Sequence, residues 1–146
     1  MGDISFQRVG EAMYERDHCA QALGIRLMTI GSGHAEMTME VRRDMANGHA
    51  ICHGGIIFTL ADTAFAYACN ADNHITVASG ASIQFLEPGK LGEVLTATSR
   101  RAHERGRSGV YDIEVRGGDG RLIALFRGLS RRLDGHVVQT EEEKHG

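Results

Sequence analysis

One acidic residue lies inside the most apolar segment of the chain, where a carboxylate could do chemistry. Residues 47–70 read NGHAICHGGIIFTLADTAFAYACN, and Asp62 is surrounded there by Ile, Phe, Leu and Ala. A carboxylate on such a surface loses hydration at a cost on the order of several kcal/mol, and burial raises its pKa toward neutrality. A general base or nucleophile in a partly dry cleft has these properties. Alternatively, Asp62 is a structural acid that bonds to Thr59 or Thr63 or faces a wet interface.

The residues that precede this segment could bind an oxygen atom. The sequence His53-Gly54-Gly55 stands immediately before the apolar run, so Gly54 is expected at a helix N-terminus. Backbone N–H groups there lack acceptors, and the helix dipole favours negative charge. Glycine lets a ligand approach this backbone closely, which makes a candidate oxyanion site. Alternatively, the two glycines only allow a tight entry into the helix.

The spacing of these two features predicts how many chains a site needs. Gly54 and Asp62 are eight residues apart, which is roughly 12 Å along a helix. An acid must lie within one hydrogen bond, or one water molecule, of the atom that it serves. Two such helices that run antiparallel about a twofold axis would bring Asp62 of one to Gly54 of the other. We therefore predict a homodimer with the active site at its interface.

The apolar periodicity predicts the elements that position these residues. Helices are predicted at residues 6–20 and 54–70, and strands at residues 23–30, 34–42, 76–86, 93–105, 108–116 and 121–133. A helix that is apolar on all sides must be covered on all sides, and one antiparallel sheet wrapped around it does so. We predict an α+β fold that forms a single domain over residues 1–146, with a disordered tail at 135–146. Uncovered apolar surface would favour a dimer.

Composition and charge argue against several classes of protein. The net charge is −3 without strong clustering of basic residues, which argues against nucleic acid as the main partner. No apolar run approaches the ~18 residues of a membrane span. The spacing of Cys19, Cys52 and Cys69 fits no metal knuckle and predicts reduced thiols in a cytoplasmic protein. His49 and His53 are four residues apart but have no third ligand in register, so we predict no metal.

The segment at 47–70 closely resembles the signature of the PaaI-type acyl-CoA thioesterases, the phenylacetic acid degradation branch of the hotdog-fold superfamily. The upstream stretch AMYERDHCAQALGI and the downstream stretches SIQFLEPGKLGEVLTATSRRAHERGRSGVYDIEV and LIALFRGLSRR are also similar to this family. The resemblance covers roughly residues 8–133. It implies a long helix wrapped by an antiparallel sheet, in homodimers that often pair into homotetramers.

The resemblance also implies roles for individual residues. Asp62 matches the acid that activates water or attacks the thioester carbonyl, and Gly54 matches the glycine whose N–H polarises that carbonyl. Asn47 matches the side chain that positions thioester or water across the interface, and His53 matches a supporting histidine. Some relatives add a Ser or Thr on the next strand, where this chain has Ala78. Substrate-binding roles, including a substitute for that hydroxyl and contacts to pantetheine, are predicted for Gly55, Thr63, Ser79, Arg107, Ser108 and Gly109.

The sequence therefore predicts a cytoplasmic acyl-CoA thioesterase without a cofactor. It is expected to hydrolyse phenylacetyl-CoA or a ring-hydroxylated relative to the free acid and CoA during phenylacetate breakdown. Two alternatives stay open, a hotdog hydratase or dehydratase that uses His53, and a non-catalytic acyl-CoA-binding protein. The basic stretch at 100–107 either contacts CoA phosphates or is a solvated hairpin. Phe58, Phe65 and Tyr67 are core candidates, of which one or two could touch an aromatic acyl group.

Overall fold

The structure, a computed structural model, describes residues 4–140. Its α-helices are α1 (Phe6–Arg16), α2 (His18–Ala22) and α3 (Gly54–Asn70), and a short 3-10 helix spans Arg43–Met45. Its strands are β1 (Arg26–Gly31), β2 (His34–Glu40), β3 (His74–Phe85), β4 (Val94–Arg105), β5 (Ser108–Arg116) and β6 (Leu122–His136). No helix within these described residues is long and apolar enough to cross a membrane.

One antiparallel sheet holds all six strands, in the order β1-β2-β4-β5-β6-β3. The chain leaves β2, passes through α3 and returns as β3 at the opposite edge of the sheet. Every strand contacts α3, so the sheet wraps around this helix and leaves β1 and β3 as its two edges. The predicted α+β fold, with an antiparallel sheet around a central helix, is confirmed.

The sheet covers α3 because most of the helix surface is apolar. Phe65 lies at the centre of the contact, with its ring centroid 5.5 Å from Tyr111 of β5 and 6.0 Å from Phe126 of β6. Full burial of a side chain such as Phe stabilises the fold by roughly 1.5–3 kcal/mol. The residues of α3 that contribute to this core are Ile57, Leu60, Ala61, Ala64, Phe65, Tyr67 and Ala68.

The N-terminal elements differ from their predicted bounds. The predicted helix over 6–20 is two helices, because the Asp17 side chain accepts a hydrogen bond from the Ala20 N–H at 3.0 Å and starts α2. The predicted strand over 23–30 begins only at Arg26. Leu23 ends α2, and Gly24 turns the chain with a φ of +70°, a value that glycine adopts without strain.

The C-terminal end of β6 extends into the predicted tail. Gly135 and His136 complete β6, which was predicted to end at 133. Beyond the strand, the Val138 N–H donates to the Asn73 side chain at 2.8 Å. The tail was predicted to be disordered from residue 135, so its first part is instead held against the sheet. Residues 141–146 of that tail lie outside the described residues.

The close packing of Gly128 in β6 against the Phe65 ring can be tested by substitution. A methyl group on Gly128 would lie 2.7 Å from the Phe65 ring, and overpacking of this kind costs about 1–3 kcal/mol. We predict that Gly128→Ala lowers the free energy of unfolding by about this amount in urea denaturation. Gly31→Ala in β1 is the matched control, because a methyl group there meets nothing within 4 Å. Equal stability of the two variants would contradict this packing.

Candidate active site

Asp62 lies in the middle of α3 and is half-buried. Within residues 4–140 its carboxylate has no hydrogen bond and no ion pair. The Thr59 hydroxyl donates to the Gly55 carbonyl at 2.9 Å, and the Thr63 hydroxyl donates to the Thr59 carbonyl at 2.6 Å. The alternative that these threonines bond to Asp62 is therefore wrong. Burial raises the pKa of the Asp62 carboxyl above its usual value.

The first turn of α3 keeps one backbone donor free. His53 is the N-cap residue, and its Nδ1 accepts the Gly55 N–H at 3.4 Å. Its carbonyl accepts the N–H groups of Ile56 and Ile57 at 3.0 and 3.2 Å. The Gly54 N–H donates to no acceptor in the described part of the chain. This N–H lies at the positive end of the helix dipole, where an anionic oxygen is stabilised.

The segment before α3 presents Asn47 beside this donor. The Asn47 Oδ1 accepts the His49 N–H at 2.9 Å and the Ile51 N–H at 3.5 Å, which closes a turn. This turn leaves the two N–H donors of the Asn47 side-chain amide available for a ligand. Asn47 and Gly54 both line the same cleft.

The α3 cleft, as we name this cavity, has a volume of about 400 Å³. Its walls are mostly apolar, and Phe85 lies across Gly54, so that a methyl group on the glycine would be 3.2 Å from the ring. Phe85 and Leu86 are about half exposed, at 53% and 50%. The full set of lining residues is Asn47, Ile51, Cys52, Gly54, Ile57, Phe85, Leu86, Glu87 and Pro88.

Asp62 does not line the α3 cleft. It lies two turns further along the same helix, which separates it from Gly54 by roughly 12 Å. A single chain therefore holds the acid and the free N–H donor apart, as their spacing in the sequence indicates.

The residues that were predicted to bind pantetheine also lie away from the α3 cleft. Arg107 lies in the β4–β5 turn, Ser108 and Gly109 begin β5, and all three border a separate cavity of about 10 Å³. The Arg107 guanidinium donates to Asp134 at 2.8 Å. A methyl group on Gly109 would lie 2.6 Å from the Ser130 hydroxyl, so this glycine allows close packing. The role of these three residues in CoA binding stays a prediction.

The other predicted substrate-binding residues already have intramolecular partners. The Ser79 hydroxyl donates to the Leu129 carbonyl at 3.2 Å and so ties β3 to β6. The Gly55 N–H donates to His53 Nδ1, and the Thr63 hydroxyl donates to the Thr59 carbonyl within α3. None of the three lines the α3 cleft, and their roles toward substrate stay predictions.

Sequence reasoning missed the aromatic wall of the cleft. Two of the aromatic residues considered for contact with an acyl group, Phe65 and Tyr67, are buried in the core, at 1% and 0% exposure. Phe85 reaches Gly54 only because β3 pairs with β6 and ends beside the helix N-terminus. The one signal for this wall in the sequence is that two large apolar residues, Phe85 and Leu86, end a predicted strand just before the turn at Pro88.

An ion pair that sequence reasoning also missed holds the loop at the edge of the cleft. Arg121 donates to Glu93 at 2.7 Å and to the Pro88 carbonyl at 2.8 Å. The Gly89 carbonyl in turn accepts the Cys52 N–H at 2.8 Å. The pair therefore fixes the loop that packs against the strand-like segment before Gly54. The carboxylate and the guanidinium are only 14% and 20% exposed.

Comparison with known proteins gives the family. A family model described as the thioesterase superfamily matches residues 49–124. Acyl-coenzyme A thioesterase PaaI of Escherichia coli strain K12 is 51% identical over 127 residues, which cover 87% of this chain and 91% of the relative. The chain belongs to the thioesterase superfamily.

Solved structures agree with this assignment. The structure of the E. coli PaaI protein from the phenylacetic acid degradation operon matches with a TM-score of 0.88 and 49% identity, over 90% of this chain and 95% of that chain. A Streptococcus mutans UA159 protein bound to acetyl CoA matches with a TM-score of 0.73 and 26% identity, over 77% and 90% of the two chains. The predicted family, the hotdog fold and the class of activity, thioester hydrolysis, are confirmed.

The ion pair at the cleft edge predicts a pH-dependent stability. Burial by itself raises the pKa of Glu93, but the Lys90 and Gly118 N–H groups and the Arg121 guanidinium together bring it below its usual value of 4.5. A lowered pKa in the folded state gives stability that is present above pH 4.5 and lost as the pH falls below it. We predict that Glu93→Gln lowers the free energy of unfolding at pH 7 by about 1–3 kcal/mol.

Urea denaturation from pH 7 to pH 3 checks this prediction, because the difference between wild type and Glu93→Gln should narrow in acid. Glu114→Gln is the matched control. Glu114 makes an exposed ion pair with Arg116, which is worth roughly 0–1 kcal/mol. A Glu93→Gln effect as small as that of Glu114→Gln, or one that is constant with pH, would contradict the assigned contacts.

Proposed function

We propose that this protein hydrolyses phenylacetyl-CoA, or a ring-hydroxylated phenylacetyl-CoA, to the free acid and CoA. One observation carries the chemistry. Among the described residues 4–140, the same helix holds a half-buried carboxylate without a partner, Asp62, and a first-turn N–H without an acceptor, at Gly54. The 51% identical E. coli relative is named an acyl-coenzyme A thioesterase, and its structure is described as part of the phenylacetic acid degradation operon, which supports this choice of acyl group.

The two groups suit the two needs of thioester hydrolysis. The Gly54 N–H donates to the carbonyl oxygen and stabilises the negative charge that develops there. Asp62 accepts a proton from the attacking water, and its raised pKa makes it a stronger base than an exposed carboxylate. The water oxygen bonds to the carbonyl carbon, the carbon–sulfur bond breaks, and CoA leaves as a thiolate that needs little protonation. Direct attack by the carboxylate, followed by hydrolysis of the anhydride, uses the same two groups.

The active site is proposed to combine two chains. Because one chain separates Asp62 from Gly54, we assign the Asp62 of one protomer to the Gly54 cleft of its partner in a homodimer. The free edge of β3 supports this assembly, since an unpaired edge strand is a ready template for pairing with another chain. Asn47 would position the thioester or water, and His53 supports the helix N-terminus as its cap.

A surface on β6, separate from the β3 edge, supports a homotetramer. Three leucines point away from α3 on the outer face of β6, and each is between 38% and 44% exposed. Arg127 and Arg131 are exposed between them on the same face, so the surface mixes apolar and basic side chains, a composition found at contacts between protein subunits. The leucines are Leu125, Leu129 and Leu133.

We also place the activity in the cytoplasm. Cys19, Cys52 and Cys69 are free thiols, which suit a reducing compartment.

Replacing the acid tests the proposed base. We predict that Asp62→Asn lowers kcat by about 10²-fold or more, the scale expected for a lost general base. Thiol release from phenylacetyl-, hydroxyphenylacetyl-, benzoyl-, enoyl- and short straight-chain thioesters of CoA measures this. Asp44→Asn is the matched control, since Asp44 is an exposed acid that pairs with Arg42.

Stability separates a catalytic role of Asp62 from a structural one. A raised pKa means that the carboxylate weakens the fold as the pH rises through its folded-state pKa. Asp62→Asn should therefore unfold at pH 7 no more easily than wild type. Full activity of the variant would refute the assignment of Asp62. Absence of thiol release by wild type would leave the hydratase or the acyl-CoA-binding alternative.

Proline at position 54 removes the proposed oxyanion donor selectively. Proline is favoured at the first position of a helix and lacks an N–H. His53 already has the extended backbone that a following proline requires, with φ −60° and ψ 135°. We predict that Gly54→Pro lowers kcat by about 10²- to 10³-fold. Gly54→Ala is the matched control, because it adds the same contact with Phe85 and keeps the N–H.

Mixing two inactive variants tests the composite site. In a mixed dimer of Asp62→Asn and Gly54→Pro, one of the two sites holds an intact acid and an intact donor. An equal mixture, dissociated and reassembled, should therefore recover about a quarter of the wild-type activity, given random pairing and equal subunit affinity. No recovery, with mixed dimers shown to form by native mass spectrometry, would place both groups in one chain.

A further inference from the structure

We propose that Phe85 is the residue against which the acyl group packs, and that it makes the site prefer arylacetyl over straight-chain acyl groups. This inference rests on the proposed function and deepens it. Phe85 is the last residue of β3, where it pairs with Ala124 of β6. The backbone of Leu86 continues this contact, since its N–H donates to the Ile123 carbonyl at 2.8 Å. The ring is therefore held by the sheet rather than by a loose loop.

The Phe85 ring lies beside the free N–H donor. A methyl group on Gly54 would be 3.2 Å from its Cζ and 3.5 and 3.7 Å from its two Cε atoms. A carbonyl oxygen that accepts the Gly54 N–H therefore brings the carbon atoms next to that carbonyl into reach of the ring. Phe85 is 53% exposed, which leaves its ring accessible for such a contact.

The charges of the cleft indicate which end of the thioester lies here. Its other walls include the apolar side chains of Leu86 and Ile57, and the charged residue among the lining set is an acid, Glu87. No Lys or Arg belongs to that set. A carboxylate repels the phosphates of CoA, and the Asn47 amide is the one other strongly polar side chain of the set, which is too few partners for the two amides of pantetheine. The acyl group fits this wall better than the CoA portion does.

An aromatic wall discriminates between acyl groups by ring geometry. In an arylacetyl group one methylene separates the carbonyl from the aromatic ring, so that ring can lie within stacking or edge contact of Phe85. Aromatic pairs with centroids 4.5–7 Å apart gain stability beyond the area that they bury. A straight acyl chain of similar size gains only the burial. Phe85 is therefore expected to contribute a roughly threefold to tenfold preference.

The test measures binding separately from hydrolysis. Ketone analogues of phenylacetyl-CoA and hexanoyl-CoA, in which a methylene replaces the thioester sulfur, are titrated into the full chain by calorimetry. Phe85→Leu should raise the Kd of the phenylacetyl analogue roughly threefold to tenfold more than that of the hexanoyl analogue. Phe85→Tyr keeps the ring and should restore the wild-type ratio of the two Kd values.

Met28→Ala is the control for loss of an exposed apolar side chain. Met28 is 55% exposed on β1, at the opposite edge of the sheet. The ratio of the two Kd values in Met28→Ala should therefore equal that of wild type. Circular dichroism and sedimentation establish that each variant folds and assembles as wild type does. The proposal would be overturned if Phe85→Leu lost affinity equally for both analogues, or if wild type bound neither analogue. Intact discrimination without thiol release would refute the proposed hydrolysis alone and support the role of Phe85.

Discussion

The structure depends on one constraint, which is that α3 is apolar on most of its surface and a single sheet must remove it from water. All six strands of the described sheet contact this helix. The sheet therefore leaves few positions on α3 where polar groups can act. One is the first turn, where the Gly54 N–H has no acceptor within the part of the chain that the structure describes, and another is the half-buried Asp62. Because both belong to one rigid element, helix geometry fixes their separation. A second copy of the chain is the direct way to bring such groups to one carbonyl.

The α3 cleft depends on contacts between residues that are distant in the sequence. Its aromatic wall comes from the end of β3, its floor from the first turns of α3, and its rim from the loop that Arg121 and Glu93 hold. The sheet order brings β3 beside β6, and this pairing places Phe85 at Gly54. The site is consequently assembled by the same long-range pairing that closes the sheet around the helix.

The sequence predicted the parts of this architecture that have local causes. The length and apolar character of α3, the alternation in β2 and β5, and the odd position of Asp62 are visible along the chain itself. The break at Asp17 was missed because a short capping side chain interrupts an otherwise helical pattern. The Arg121–Glu93 pair and the approach of Phe85 to Gly54 could not be predicted from spacing, since each joins residues more than 25 positions apart.

The acid in the cleft wall has a consequence for turnover. Hydrolysis converts an uncharged acyl group into a carboxylate, so the product adds a negative charge to a cleft that is already lined by Glu87. Apolar walls that bind the acyl group of the substrate are thus an unfavourable environment for the carboxylate of the free acid. Under the proposed reaction, Glu87 counteracts the stabilisation that the Gly54 N–H offers to an anionic oxygen, which favours release of the free acid and weakens its competition with fresh thioester.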